Sequence, residues 1–517
     1  MGELSEGRIL TGADVTASGE ERPDVCIVGS GAGGAVVAAR LAERGARVVV
    51  LEEGGAFGPS DADMREATAY PRLYQQRGQR ATSDLAITVL QGRALGGSTA
   101  VNWTACSRVP ERVLALWRDR FGSTLTPQAL APHFEAVEER LSVKEQPEER
   151  VNANNRVLWD GVGKLGWQRE RALRNVVGCA DLGYCGMGCP IGARASADRT
   201  YVPDAVARGA RIYTNARVMD LVLERQRAIA VLADVLDPRT DEPTGRRIAI
   251  RPKILVLSGG AINTPALLLR NGIDLAGKVG ARTFLHPAAA MVGLHPAPIA
   301  GWSGAPQSVA SREFAERGPG SAGFLLQALP VHPMLAGLTL GGFGAGHEAI
   351  MSRLSHASAL VALAIDGLLP EEEGGRVAVR PDNRIALRYH LPPEIWEALR
   401  EGCRALARVH LAAGAEVVFS SHEPPVEIRG EADLRKLDEA PWVPNRIGLF
   451  TIHPVGGCAL GRDPESSVVT PELKLNAHEN VYVVDGSVFP TSLGVNPQLT
   501  IFALARWAAE HVASAIP

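Results

Sequence analysis

The segment DVCIVGSGAGGAVVAARLAERGARVVVLEEGG, residues 24–55, constrains this chain more than any other. An apolar run, a glycine turn, a helical stretch of small residues and a second apolar run fit within about 30 residues, the span of one βαβ unit. Gly29, Gly31 and Gly34 form G-x-G-x-x-G at the turn. The first glycine permits the tight turn, the second lets a pyrophosphate approach the backbone, and the third lets helix and strand pack closely. The free N–H groups and positive dipole of the helix start suit phosphate. Glu52 ends the second run, where its carboxylate would accept ribose hydroxyls. The expected fold class is therefore α/β, with a Rossmann-like dinucleotide-binding domain. FAD and NAD share this fingerprint, which does not choose between them.

The same punctuation recurs far along the chain, in KILVLSGG (253–260) and VYVVDGS (481–487). One nucleotide-binding domain is thus expected from discontinuous segments, 23–280 and 441–517, with 281–440 inserted as a cap-like substrate domain. Residues 1–22 read as a loose polar leader. A formal charge of −3 offers no basic field for a nucleic acid. No apolar run reaches the ~18 residues of a transmembrane helix, and the N-terminus lacks the pattern of a signal peptide. Seven cysteines do not suggest a secreted disulfide framework. The expected address is cytoplasmic, with association to a membrane left open.

Four further stretches carry a resemblance. GRALGGSTAVNW (92–103) and GGAINTPALLLRNGI (259–273) are two of them; HPVGGCALG (453–461) and VYVVDGSVFPTSLGVNPQLTIFALA (481–505) are the others. In this order they resemble the glucose–methanol–choline (GMC) flavoprotein oxidoreductases, with Asn271 standing where serine is usual. The ending GVNP is most similar to the long-chain fatty alcohol oxidases and cholesterol oxidases. The resemblance implies FAD, contacted by Arg93, Gly96, Gly97 and Asn102 in the first stretch and by the backbone of Val218 at the adenine. It further implies contacts from Asp485, Gly486 and Pro497 in the last. Ser98 to Val101 contain no histidine, so the FAD is expected to be non-covalent.

By the same resemblance His453 is the base and Asn496 the partner of the developing alkoxide. The chemistry suits these residue types: a neutral imidazole takes a hydroxyl proton near pH 7, and an amide N–H stabilises the oxygen without competing for that proton. His286, His295, His332 and His390 have no comparable context and read as structural or cap residues. The implied reaction is oxidation of an alcohol to the aldehyde or ketone by hydride transfer to flavin. Apolar stretches such as GFLLQALPVHPMLAGLTLGGF (323–343) favour a long-chain or sterol-like alcohol, and the glycines between Gly337 and Gly346 suggest a lid.

Cys179, Cys185 and Cys189 lie in GCADLGYCGMGCPIGA, close enough for thiolates to converge on one soft metal. The spacing resembles the electron-transferring glucose dehydrogenase branch of the family, which implies a 3Fe-4S cluster. Two readings therefore stand: an oxidase using oxygen, or a dehydrogenase relaying electrons through a cluster to a redox partner. A third is a redox-silent member that keeps flavin structurally, against which the complete His453–Asn496 pair argues.

Overall fold

The computed structural model describes residues 8–517. Six parallel strands form its central sheet, in the order Arg8–Leu10, Arg211–Tyr213, Val48–Leu51, Val25–Val28, Ile254–Leu257, Val481–Val483. The four strands rich in Val, Ile and Leu are buried along almost their whole length, as expected of parallel strands covered on both faces. They come from widely separated stretches, so the Rossmann-like domain is discontinuous.

The helix Ala32–Glu43 lies against this sheet, with the helices Tyr201–Ala207 and Gln498–Ser514 beside it. Its small residues permit close contact: a Cβ on Gly33 would come within 1.9 Å of the Val484 carbonyl oxygen. A second sheet runs Ala216–Glu224, Arg227–Leu236, Pro243–Ile250, Gly19–Glu21.

The stretch read as a loose leader is structured where it is described. Arg8–Leu10 is an edge strand of the central sheet, and Gly19–Glu21 pairs in parallel with Pro243–Ile250. Both strands are three residues long and largely exposed, so they carry no apolar alternation to betray them. Residues 1–7 of that expected leader lie outside the described residues.

The third layer is a mixed nine-stranded sheet whose centre is Ala288–Leu294, Ala357–Ala364 and Phe324–Ala328. It also takes in Glu170–Arg171, Ile87–Val89 and Leu449–Thr451 from outside residues 281–440. The helix Pro393–Ala412 covers one face with Ile395, Ala398, Leu399, Gly402, Leu406 and Val409, a stripe at helical spacing. Each large apolar side chain buried there contributes about 2 kcal/mol. The opposite face, with Ala290, Val292, Leu325, Val361 and Leu363, shares an apolar cluster with Trp103. Ile452 packs against that cluster and also lines the cavity described next.

Candidate active site

A cavity of 610 Å³ runs between the central sheet and the nine-stranded sheet. Gly29, Gly31, Glu52, Arg93, Gly97, Asn102, Val218, Asp485, Gly486, His453, Asn496 and Pro497 all line it. Gly34 and Gly96 stand behind the lining. A Cβ on Gly34 would lie 1.9 Å from the Gly29 carbonyl oxygen, and Gly96 turns the chain with φ +92°. Gly97, with φ +56°, brings the backbone against Gly31: an added Cβ would sit 2.8 Å from the Gly31 Cα. Two glycine turns therefore meet across the cavity wall beside the start of the helix Ala32–Glu43.

Two buried carboxylates mark the cavity. Glu52 accepts Ser30 N–H at 3.0 Å and Ser30 Oγ–H at 2.7 Å on one oxygen, and Gly54 N–H at 2.8 Å on the other. Burial pushes its pKa up, and those donors pull against the rise. A carboxylate has about four acceptor sites, so Glu52 keeps room for a ligand hydroxyl. Asp485 accepts from Gly260 N–H at 2.8 Å, Thr264 Oγ–H at 2.6 Å and Ser487 N–H at 2.8 Å. It thereby ties the helix Gly260–Arg270 to the end of the strand Val481–Val483. Arg93 is engaged by Glu53 at 3.2 Å and Asp241 at 2.6 Å. Asn102 accepts the Thr104 N–H. A cavity with a glycine-bared helix start and a buried acceptor carboxylate in its lining fits a dinucleotide such as FAD.

In the same cavity lining, His453 Nε2 lies 3.2 Å from Asn496 Nδ2. Asn496 precedes Pro497, which caps the helix Gln498–Ser514, and is held on its oxygen by Gln327 Nε2–H at 2.9 Å. Gln307 Nε2–H in turn donates to Gln327 Oε1 at 3.1 Å. The His453 backbone N–H donates to Thr451 Oγ1 at 3.1 Å. Burial holds the His453 imidazole well below its ordinary pKa, and charge repulsion from His286 lowers it further only where that ring is itself protonated. His453 is therefore neutral near pH 7, the state in which an imidazole can take a proton.

His286, read from the sequence as a structural or cap residue, is in contact with His453: the two Nδ1 atoms are 3.1 Å apart. Its ring is buried, which brings its pKa down to about 4. Asp366 accepts the backbone N–H groups of Leu285 at 2.7 Å and His286 at 3.0 Å, and the Tyr389 hydroxyl at 2.5 Å. The sequence carries no local signal for His286, Gln327 or Gln307, because each meets the site through a distant pairing. Phe489 stacks on Trp117 at 5.3 Å in the core rather than lining the cavity.

The alternative of an iron–sulfur cluster on the three clustered cysteines finds no support in the arrangement of the side chains. Among the described residues no group of three or more His, Cys, Asp or Glu side chains is arranged to hold a metal ion. Cys179 Sγ lies toward Asp181 Oδ1 at 3.6 Å, while Cys189 Sγ accepts the Ala193 N–H at 3.3 Å. Desolvation pushes the Cys185 thiol up. Gly183 packs on Trp302, and Gly186 on Trp103 and Tyr74.

Known proteins agree with this architecture. Residues 70–288 and 370–505 match the N- and C-terminal models of the GMC oxidoreductases, and 27–63 match an NAD(P)-binding Rossmann-like domain. An uncharacterised GMC-type oxidoreductase of Mycobacterium tuberculosis is 33% identical over 505 residues, covering 96% of this chain and 76% of that protein. The long-chain-alcohol oxidase FAO4B of Arabidopsis thaliana is 30% identical over 513 residues, covering 94% of this chain and 66% of that protein. Among solved structures, pyridoxine 4-oxidase superposes with a TM-score of 0.71 at 19% identity, over 94% of this chain and 98% of that one. A formate oxidase variant of Aspergillus oryzae gives 0.72 at 15%, over 96% and 99%. These two share the fold. On the sequence matches, the chain belongs to the GMC oxidoreductases, flavin-dependent enzymes that oxidise alcohols or other CH–OH groups.

Proposed function

We propose that this enzyme oxidises an apolar alcohol, long-chain or sterol-like, with His453 as base and Asn496 as the hydrogen-bond partner of the alkoxide. The observation that carries the reading is the 3.2 Å pairing of His453 Nε2 with Asn496 Nδ2 in the cavity that Glu52 also lines. An alcohol oxygen entering between them would give its proton to Nε2 and accept the amide N–H. Bound FAD would supply the acceptor for the hydride leaving the carbon. In this reading Glu52 receives the ribose, the turns at Gly29 to Gly31 and Gly97 receive the pyrophosphate, and Val218 borders the adenine.

The apolar substrate is supported by what adjoins the pair. Ile452, next to His453, packs on the apolar cluster of Trp103, Ala290, Val361 and Leu363. The Arabidopsis relative is named for long-chain alcohols, which points the same way. Over this face lie two short helices, Pro333–Thr339 and Gly344–Met351, held where Glu66 accepts the N–H groups of Met334 and Leu335. We assign them as the cover of the substrate path. Oxygen or a soluble redox partner would reoxidise the flavin; the alternative relay through Cys179, Cys185 and Cys189 has no assembled ligand set to support it.

The test is anaerobic bleaching of the flavin by straight-chain primary alcohols of increasing length. Reduction rates that climb with chain length support the reading. Bleaching by polyols alone would overturn the substrate class, and no bleaching by any alcohol would overturn the reaction.

A further inference from the structure

We propose that His286 is a positioning residue that fixes the tautomer of His453: it accepts the Nδ1 hydrogen of His453 and so leaves Nε2 bare for the alcohol proton. The inference rests on the reading of His453 as base and adds to it a residue that touches neither substrate nor cofactor.

The argument is a hydrogen count. An N···N bridge between two neutral imidazoles holds one hydrogen, so one Nδ1 donates and the other accepts. The amides, taken in the orientation the structure gives them, select which. Gln307 Nε2–H engages Gln327 Oε1, and Gln327 Nε2–H engages Asn496 Oδ1. The Asn496 nitrogen is thereby turned to His453 Nε2. An amide NH₂ only donates, so Nε2 must accept. A neutral His453 then carries its hydrogen on Nδ1, and His286 Nδ1 receives it at 3.1 Å. His286 is left with its own hydrogen on Nε2, a buried atom without a hydrogen-bond partner in the structure.

The bridge to His453 is matched by a constrained backbone. His286 adopts φ +51°, a region that non-glycine residues rarely enter, and Asp366 clamps its N–H. A strained backbone held in place beside the base fits a functional placement. The ionisable groups around the pair are Asp366 and Tyr389, bonded to each other, with Glu372 behind Asp366.

In the reaction the alcohol O–H bond breaks, a bond from that proton to His453 Nε2 forms, and the electron pair stays on oxygen. The Nδ1–H···Nδ1 bridge to His286 then becomes charge-assisted and stronger, so it favours the imidazolium over the neutral ring. His286 does for His453 what a carboxylate does in other base–orienter pairs.

The test compares the holoenzyme with His286→Leu, which cannot accept the hydrogen, and His286→Asn, whose Oδ1 stands where the imidazole Nδ1 stood. Anaerobic flavin reduction by 1-octanol is followed against concentration and pH. The Leu variant should bind FAD normally and reduce it about 10- to 100-fold more slowly at saturation, a loss typical of orienting partners. Its half-saturating alcohol concentration should hold, and its acid limb should move to lower pH. The Asn variant should recover most of the rate and the wild-type pH profile. A Leu variant as fast as wild type, or an Asn variant as slow as Leu, overturns the proposal. A second readout is independent of activity: ¹⁵N-histidine spectra of the wild-type holoenzyme, assigned with the variants, should show His453 protonated on Nδ1 and His286 on Nε2. The opposite tautomers overturn the positioning role even if alcohols bleach the flavin. The expected tautomers without any bleaching leave the bridge standing and remove the alcohol reading instead.

Discussion

Gln327 donates from Nε2 to Asn496 Oδ1 at 2.9 Å, and this bond turns the Asn496 nitrogen toward His453. Without it the amide could rotate, since both ends of an amide fit the same space. Gln327→Leu should therefore lower the rate of flavin reduction by roughly tenfold, the worth of about one hydrogen bond, while FAD content stays at the wild-type level. Stopped-flow reduction beside a flavin absorbance ratio checks both halves. An unchanged rate would mean that Asn496 holds its orientation without help.

His453 has a larger part. Replacing it by Asn keeps a polar side chain but removes the base, and general-base contributions are typically 10²–10⁴-fold. Flavin reduction in His453→Asn should fall by about that range. Because no cofactor-end bond depends on His453, the variant should still purify yellow. A loss below about tenfold would require another base.

Elsewhere in the cavity lining, Glu52 accepts from Ser30 twice and from Gly54 once, which organises the glycine turn whether or not a cofactor is present. Glu52→Gln keeps the size but turns one acceptor oxygen into an NH₂ that faces existing donors. The expected result is FAD affinity weaker by about 10- to 100-fold, from the loss of one bond of about 1.5–3 kcal/mol to a charged group. Fluorescence of released flavin during dilution measures it. Retention equal to wild type would remove Glu52 from the ribose contact.

The parts of this site that could be read from sequence are those set by neighbours in the chain. Gly29, Gly31, Gly34 and Glu52 stand at fixed offsets within one βαβ unit, and the structure brings three of them to the cavity. His286 and His453 are 167 positions apart, and Gln327 and Asn496 are 169 apart. No periodicity or turn chemistry links such pairs; Gln327 lies in the nine-stranded sheet and Asn496 in the loop between the last strand and the last helix, and the fold brings them together. The strands Arg8–Leu10 and Gly19–Glu21 escaped notice for a different reason, being three residues long and largely exposed. Cysteine spacing was legible, but spacing does not set where the thiols lie.

Gly97 offers a test of the cavity wall. Its φ of +56° strains any side chain, and a Cβ would meet the Gly31 Cα at 2.8 Å. Gly166 has φ +73° with open space around it, so Gly166→Ala carries the backbone penalty alone. That penalty is about 1 kcal/mol. Gly97→Ala should cost more, on the order of 2–4 kcal/mol once the two backbones are forced apart, and it should also lose FAD. Thermal midpoints and flavin content of the two variants decide it. Equal behaviour would show that the approach of Gly97 to Gly31 is not needed.

Buried histidines also set how the protein responds to acid. His410 is fully buried, donates from Nε2 to the Met291 carbonyl at 3.2 Å, and meets Ser358 Oγ at 3.0 Å through Nδ1. Burial, with His295 adding to it, brings its pKa down to about 3, against 6.5 for an ordinary histidine. Between these values the unfolded chain binds a proton that the native state does not, so stability falls as pH falls. The contribution is complete above pH 6.5 and shrinks through the acid range until about pH 3. From pH 6.5 to 5 the loss is about 2 kcal/mol per such histidine. His286, at about 4, adds a similar amount. Urea unfolding midpoints should thus drop steeply between pH 7 and 5. His410→Gln should start lower, for want of the Ser358 and Met291 bonds, yet decline less steeply by that increment. Parallel pH slopes for the two proteins would mean that His410 is not what makes the fold acid-sensitive.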